Sequence, residues 1–159
     1  MARNLAQDTS QPSSLVARVQ TQQSRSRSLV LADNLAGYAE TLRKSGRLSQ
    51  AEAYHREALD IRSDAVEQSA CTELELAVSY TQLGCTLAGQ QKHEDSYQMH
   101  HRALTLRYRL VEFSHGLVSE SLNYCAESLC ALGRGAEGIP LAMHAASIRK
   151  KVFGTNHPA

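Results

Sequence analysis

The 159-residue chain has no Trp, two Phe, three Pro and nine Gly. So few turn formers leave little from which to build an all-β fold, which needs a turn after every short strand. None of its four cysteines, Cys71, Cys85, Cys125 and Cys130, sits in a Cys-x-x-Cys pair. A zinc ribbon or a redox dithiol is therefore not expected, and the thiols read as reduced. Neither sign of charge dominates: 17 Lys and Arg stand against 16 Asp and Glu, for a net charge of +1. A nucleic-acid binder needs a concentrated basic face, so no nucleic-acid partner is expected. Apolar runs long enough to span a bilayer are missing, and Met1-Ala2-Arg3-Asn4-Leu5-Ala6-Gln7-Asp8 contains no apolar signal core. The expectation is a cytoplasmic protein without a membrane partner. What is present is ordinary globular material, 42% hydrophobic and 21% charged. The length suits one domain or a short array of repeats.

Composition divides the chain in two. Residues 1–28 are rich in Ser, Gln and Thr and end in Ser24-Arg25-Ser26-Arg27-Ser28. They carry too little apolar surface to offset their ordering entropy and are expected to form a flexible polar N-terminal segment. Within it, Leu15-Val16-Ala17-Arg18-Val19 is compatible with a turn or two of helix. The Arg-Ser alternation is a candidate phosphorylation site, because phosphate would reverse its charge. From residue 29 to 159 the periodicity is helical. Leu31, Leu35, Tyr38, Ala39 and Leu42 recur at three- and four-residue steps, which predicts one helix face. Gly46 breaks the run, and Ala51, Tyr54, Ala58, Leu59 and Ile61 start a second stripe. Two amphipathic helices joined by so short a break must lie antiparallel.

The unit then returns twice. Ala58-Leu59-Asp60-Ile61-Arg62 is echoed 45 residues later by Ala103-Leu104-Thr105-Leu106-Arg107, and 42 residues after that by Ala145-Ala146-Ser147-Ile148-Arg149. Tyr38-Ala39 with Leu42 matches Leu83-Gly84 with Leu87 and Cys125-Ala126 with Leu129. Breaks fall at Gly46, Gly89-Gln90-Gln91 and Gly133-Arg134-Gly135. Small residues have a geometric reason in this pattern: a large side chain where two helices cross would hold their backbones apart. Ala39, Gly84 and Ala126 are expected at one such crossing, opposite Ala51, Ser96 and Gly138, with Ala58, Ala103 and Ala145 two turns further on. The predicted fold is all-α, an α-solenoid of three antiparallel helix-turn-helix repeats whose apolar faces are covered by stacking.

These residues resemble a tetratricopeptide repeat array of the kinesin-light-chain-like variety. Leu35-Ala36-Gly37-Tyr38-Ala39-Glu40-Thr41-Leu42-Arg43-Lys44-Ser45-Gly46-Arg47 is similar to that family's first helix and turn. Ala51-Glu52-Ala53-Tyr54-His55-Arg56-Glu57-Ala58-Leu59-Asp60-Ile61-Arg62 is similar to its second helix, and Ile148 to Pro158 to its linker. The likeness covers about residues 29 to 159, with a generic HEAT-type solenoid as the alternative fold. The resemblance implies a protein–protein interaction module, an adaptor or scaffold, that binds a peptide or helix in a concave groove lined by the first helices. By register the groove candidates are Asp33, Gly37, Glu40 and Arg43 with Lys44 in repeat one, and Gln82 with Val78, Thr81 and Cys85 in repeat two. Repeat three contributes Glu120, Asn123, Tyr124 and Glu127. Gln82 and Asn123 donate and accept hydrogen bonds, and Tyr124 is a contact anchor.

Family members that capture an acidic chaperone C-terminus use Lys, Asn and Arg at fixed groove positions. Here those positions carry Ala36, Glu40, Gln82, Glu120 and Tyr124. Asp33, Glu40, Glu120 and Glu127 would repel a carboxylate, so a basic or mixed-charge peptide is the expected ligand. The chain stops at His157-Pro158-Ala159, where a further repeat would normally begin. That implies a fragment of a longer array or a chain that self-associates through an uncapped end. A structural, self-assembling role is accordingly the alternative function.

Other chemistry finds little support. His100 and His101 are adjacent and diverge by about 100° on a helix, so they do not make the i, i+4 pair of a helical metal site. His55 and His100 fall at equivalent points of two second helices, which predicts packing between hairpins. All four cysteines are expected as small buried hydrophobes. No nucleophile elbow or phosphate loop is present. No catalytic residue, metal or cofactor is expected, and an enzyme is the least favoured class.

Overall fold

A computed structural model of the chain describes residues 11–112 and 115–154. It contains six helices: α1 Gln11–Lys44, α2 Leu48–Glu67, α3 Glu73–Gly89, α4 His93–Leu110, α5 Gly116–Ala131 and α6 Gly135–Phe153. No strand occurs among the described residues. The helices pair as three hairpins, α1/α2, α3/α4 and α5/α6, and the hairpins stack in chain order through α2 on α3 and α4 on α5. Each hairpin therefore meets only its sequence neighbours, which defines a solenoid.

The hairpin turns repeat one device. Gly46, Gln91 and Gly133 hold the same register and take φ of 79°, 62° and 75°. This left-handed residue lets the next amide reach back five residues: Arg47 N–H donates to Leu42 O at 2.9 Å, Lys92 to Leu87 at 3.0 Å and Arg134 to Leu129 at 2.8 Å. These bonds satisfy carbonyls that a helix end leaves unpaired. In the second repeat the left-handed position belongs to Gln91, not to Gly89, which is the last residue of α3. The connections between hairpins are capped differently. Thr72 closes α3 with a capping box, accepting from Glu75 N–H while its own N–H donates to the Glu75 carboxylate. His115 caps α5, its Nδ1 accepting from Leu117 N–H at 3.1 Å.

The small-residue crossings are as the repeats require. Ala39, Gly84, Ala126, Ala51, Ser96, Gly138, Ala58, Ala103 and Ala145 are all buried. A Cβ built on Gly138 would stand 2.9 Å from the Ala126 carbonyl oxygen, and one on Gly84 would stand 2.5 Å from the His100 ring. Both are closer than real side chains approach. Ser96 uses its closeness for a hydrogen bond, its hydroxyl donating to Gly84 O at 2.9 Å.

The structure departs from the sequence pattern in three places. First, α1 is much longer than periodicity indicates. Residues 11–28 are helical and run without a break into Leu29, so no change in the backbone marks the expected boundary at residue 28. Extending an existing helix adds a hydrogen bond per residue without a new nucleus, and Gln, Arg and Ala tolerate it. From Ala17 to Ser28 every side chain is exposed except Arg25, so this stretch is helix with almost no packing. Residues 1–10 lie outside the described residues. Second, the buried stripe of α1 is Ala32, Ala36, Ala39 and Leu42, while Leu31 and Tyr38 are exposed. Third, only Cys125 is buried; Cys71 and Cys85 are half-buried and Cys130 is exposed. Cys130 follows Leu129 directly, about 100° further round the helix.

Candidate functional site

The first helices α1, α3 and α5 lie side by side and bring three registers into line: Asp33, Val78 and Glu120; Gly37, Gln82 and Tyr124; Glu40, Cys85 and Glu127. Glu40, Arg43, Gln82, Glu120 and Tyr124 line one cavity of about 420 Å³. Asn123 and Glu127 join Glu120 and Tyr124 around an adjoining one of about 450 Å³. Val78, Thr81 and Cys85 also line the first cavity, whereas Asp33, Gly37 and Lys44 line neither, so ten of the candidate residues converge and three do not. Gly37 is exposed, and a Cβ there would meet nothing.

Ion pairs set the electrostatics of this surface. Arg43 donates to Glu40 through Nε and Nη2 at 2.8 and 2.7 Å, and Lys44 stands 3.7 Å away. The Arg43 hydrogen bonds hold the Glu40 carboxyl below the usual carboxylate range despite partial burial. Arg107, from α4, is buried and reaches the groove from below. Its Nη1 donates to Ser121 Oγ at 2.6 Å and to Leu117 O at 3.2 Å, and pairs with Glu120 at 3.1 Å. Burial pulls the Arg107 pKa down and Glu120 opposes it. Asp33 accepts from Arg62, whose other guanidinium nitrogen donates to Ser79 Oγ, both at 2.6 Å. Three of the four acids expected to form a repulsive field are thus partly neutralised, and Glu127 has no ion pair among the described residues. The surface alternates in sign rather than being acidic throughout.

Tyr124 is the centre of this arrangement. Its ring stacks on His100 with centroids 4.8 Å apart and planes inclined by 13°. Burial, with nearby Cys85 and Glu120, pushes its phenol up to about 12, and burial likewise raises the Cys85 thiol. Tyr124 therefore stays a neutral, fixed ring with a polar tip, the kind of side chain that anchors a protein contact. Among the described residues, Gln82 Oε1 and Arg107 Nε are buried without a hydrogen-bond partner.

The groove reading passed over Arg107 and Leu117 in the first cavity and Gly116, Ser119 and Arg149 in the second. The signal for Arg107 lay in the echo itself, because Arg62, Arg107 and Arg149 close the three copies in one register. His55 and His100 pack between helices as expected; each is 2% exposed, whereas His101 is exposed. Burial lowers both pKa values, that of His100 to about 4. Among the described residues no group of three or more His, Cys, Asp or Glu is placed to hold a metal, and no helix is long and apolar enough to cross a membrane.

Stacked helical hairpins with a groove along their first helices define an α-solenoid repeat protein. Residues 39–68, 76–115 and 118–159 match the tetratricopeptide repeat family model. The chain belongs to the tetratricopeptide repeat family, in its kinesin-light-chain-like variety. Among solved structures it is similar to a TPR-like protein of Chlorobium tepidum TLS, with TM-score 0.67 and 22% identity over 80% of this chain and 83% of that one. It is equally similar to BtubC (BKLC) of P. vanneervenii, with TM-score 0.67 and 22% identity, covering 80% of this chain and half of that one. A comparison with curated proteins finds no match.

Proposed function

We propose that this chain is a non-catalytic adaptor or scaffold that recognises an extended peptide or a helix in the groove along α1, α3 and α5. Repeat proteins of this family are generally protein-interaction modules. The observation that carries the reading for this groove is the convergence on Tyr124, a fixed aromatic ring that lines both cavities beside the unpartnered Gln82 Oε1. A buried acceptor with no partner is costly unless a ligand supplies a donor, and an extended peptide offers backbone N–H groups. Because Glu40 and Glu120 are paired with Arg43 and Arg107, a ligand of mixed charge fits better than a purely basic one. A cytoplasmic setting accords with this role.

The test is partner capture with the whole chain as bait, set against a variant in which Glu40, Gln82, Asn123 and Tyr124 are all Ala. Loss of the captured partner with the helical signal intact is the expected result. Equal recovery by both baits would rule out this groove.

A further inference from the structure

We infer that copies of this chain stack head to tail, the outer face of α6 in one copy receiving the outer face of α1 in the next. The two internal junctions show what such a contact consists of. On the first-helix side, Leu76, Ser79, Leu83 and Thr86 of α3 are buried, and so are Val118, Ser121, Cys125 and Ser128 of α5. The same register on α1 is Leu31, Asn34, Tyr38 and Thr41, and all four are exposed. Leu31 and Tyr38 are 48% and 49% exposed where their counterparts are 8% or less. On the second-helix side, His100, Leu104 and Arg107 of α4 are buried, Leu104 in one apolar cluster with Val118, Leu122 and Cys125. Their register on α6 is Ala142, Ala146 and Arg149, the alanines exposed and the arginine half-buried. So, among the described residues, nothing covers this first-helix face of α1 or this second-helix face of α6.

Charge and shape select a second copy as the occupant. Arg107 is held by two adjacent residues of the next first helix, the carboxylate of Glu120 and the hydroxyl of Ser121. In the register of α1 those positions are Asp33 and Asn34, again a carboxylate and a neutral acceptor. The donor's place on α6 is taken by Arg149. Arg62 engages Oδ1 of Asp33, and Asp33 Oδ2 is left for a second guanidinium. The steric terms agree. Ala142 stands where His100 stands and Ala146 where Leu104 stands, and Gly37 stands where Tyr124 stands. The space these small residues leave suits Tyr38, which is larger than the Leu83 and Cys125 of the internal junctions. A contact between two different faces does not close on itself, so the product is an open array rather than a two-fold dimer.

Sedimentation velocity of the whole chain, taken to about 1 mM because untethered copies must give up translational freedom, tests this. Average mass rising past that of a dimer without a plateau is the expected result. Leu31→Asp blocks only the α1 face and Ala142→Asp only the α6 face; both positions are exposed, so the fold is kept. Each variant alone stays monomeric, and their mixture forms a one-to-one dimer and stops there. Arg149→Asp weakens association by at least about tenfold. A monomer throughout the series, a plateau at a closed dimer, or a mixture that fails to pair while the parent chain associates would each overturn the proposal. The quadruple alanine groove variant associates like the parent, so the two proposals fail separately.

Discussion

The junction of α4 with α5 and the junction of α2 with α3 use one register and different chemistry. At the first, Arg107 reaches forward and is tied to Glu120 and Ser121 of the next hairpin, and His100 stacks on Tyr124. At the second, Arg62 also reaches Ser79 of the next hairpin, but its carboxylate is Asp33 of its own hairpin. The position that Tyr124 fills is Gln82 there, so His55 has no aromatic ring in the equivalent place. That junction is bonded at its rim, where Gln90 donates to Leu48 O and Lys92 pairs with Glu52 at 2.8 Å, closer than Arg134, in the register of Lys92, stands to Glu94 at 3.9 Å. Burial acts to raise the Glu52 pKa, but hydrogen bonds from Lys92 and Arg56 outweigh it and lower the carboxyl to about 2. A repeat thus fixes where a contact falls, while the residue at that position fixes how deeply it is sealed.

The sharpest separation of the two junctions comes from acid. The His100 pKa of about 4 lies below the ordinary value of about 6.5, chiefly through burial and then through Arg107. Above pH 6.5 the imidazole is neutral in folded and unfolded chains alike. As pH falls, the unfolded chain takes up a proton that the folded one does not. Stability therefore declines by about 1.4 kcal/mol per pH unit, to a loss of about 3 kcal/mol near pH 4. Denaturant midpoints between pH 6.5 and 5, before the carboxylates enter, measure it. His100→Phe is expected to flatten that slope more than His55→Phe, and equal slopes would erase the distinction.

Gly84→Ala drives a methyl group into the His100 ring, which is also stacked on Tyr124, and should cost about 2 kcal/mol. Gly37→Ala, facing open space within α1, should instead gain up to about 1 kcal/mol. Thermal unfolding of the pair gives both signs in one experiment. Arg107→Met strips Ser121 of its charged partner and is expected to cost about 1–2 kcal/mol. Arg62→Met should cost less, because Ser79 keeps a hydrogen bond to Glu75 O and the exposed Asp33 returns to water. A larger loss for Arg62 would reverse the ranking of the two junctions. The smallest effect concerns the turns. Gln91→Gly relieves a left-handed non-glycine residue and should stabilise by under about 1 kcal/mol, read from the urea midpoint.

How far the sequence carried differs between fold and site. The three hairpins, their turns and the small residues at the crossings were legible because each is a local requirement repeated at a fixed offset. Three copies of Ala-x-x-x-Arg on the second helices also held the register of the buried arginines, though not what they bind. The convergence of Glu40, Gln82, Glu120 and Tyr124 follows from helix direction and could be read. That Asp33 and Gly37 fall outside it could not, because Asp33 is drawn to Arg62, 29 residues away. Leu31 and Tyr38 show the same limit: their spacing announces a buried stripe, yet burial depends on whether another hairpin lies beyond them.

The sequence by itself determined six helices in three pairs, since periodicity, a left-handed turn residue and a small side chain at each crossing are properties of short segments. Only the tertiary structure decided which acids are neutralised, which ring covers His100 and which apolar faces stay open. Those depend on side chains from different hairpins meeting in space, and no local pattern encodes the far partner.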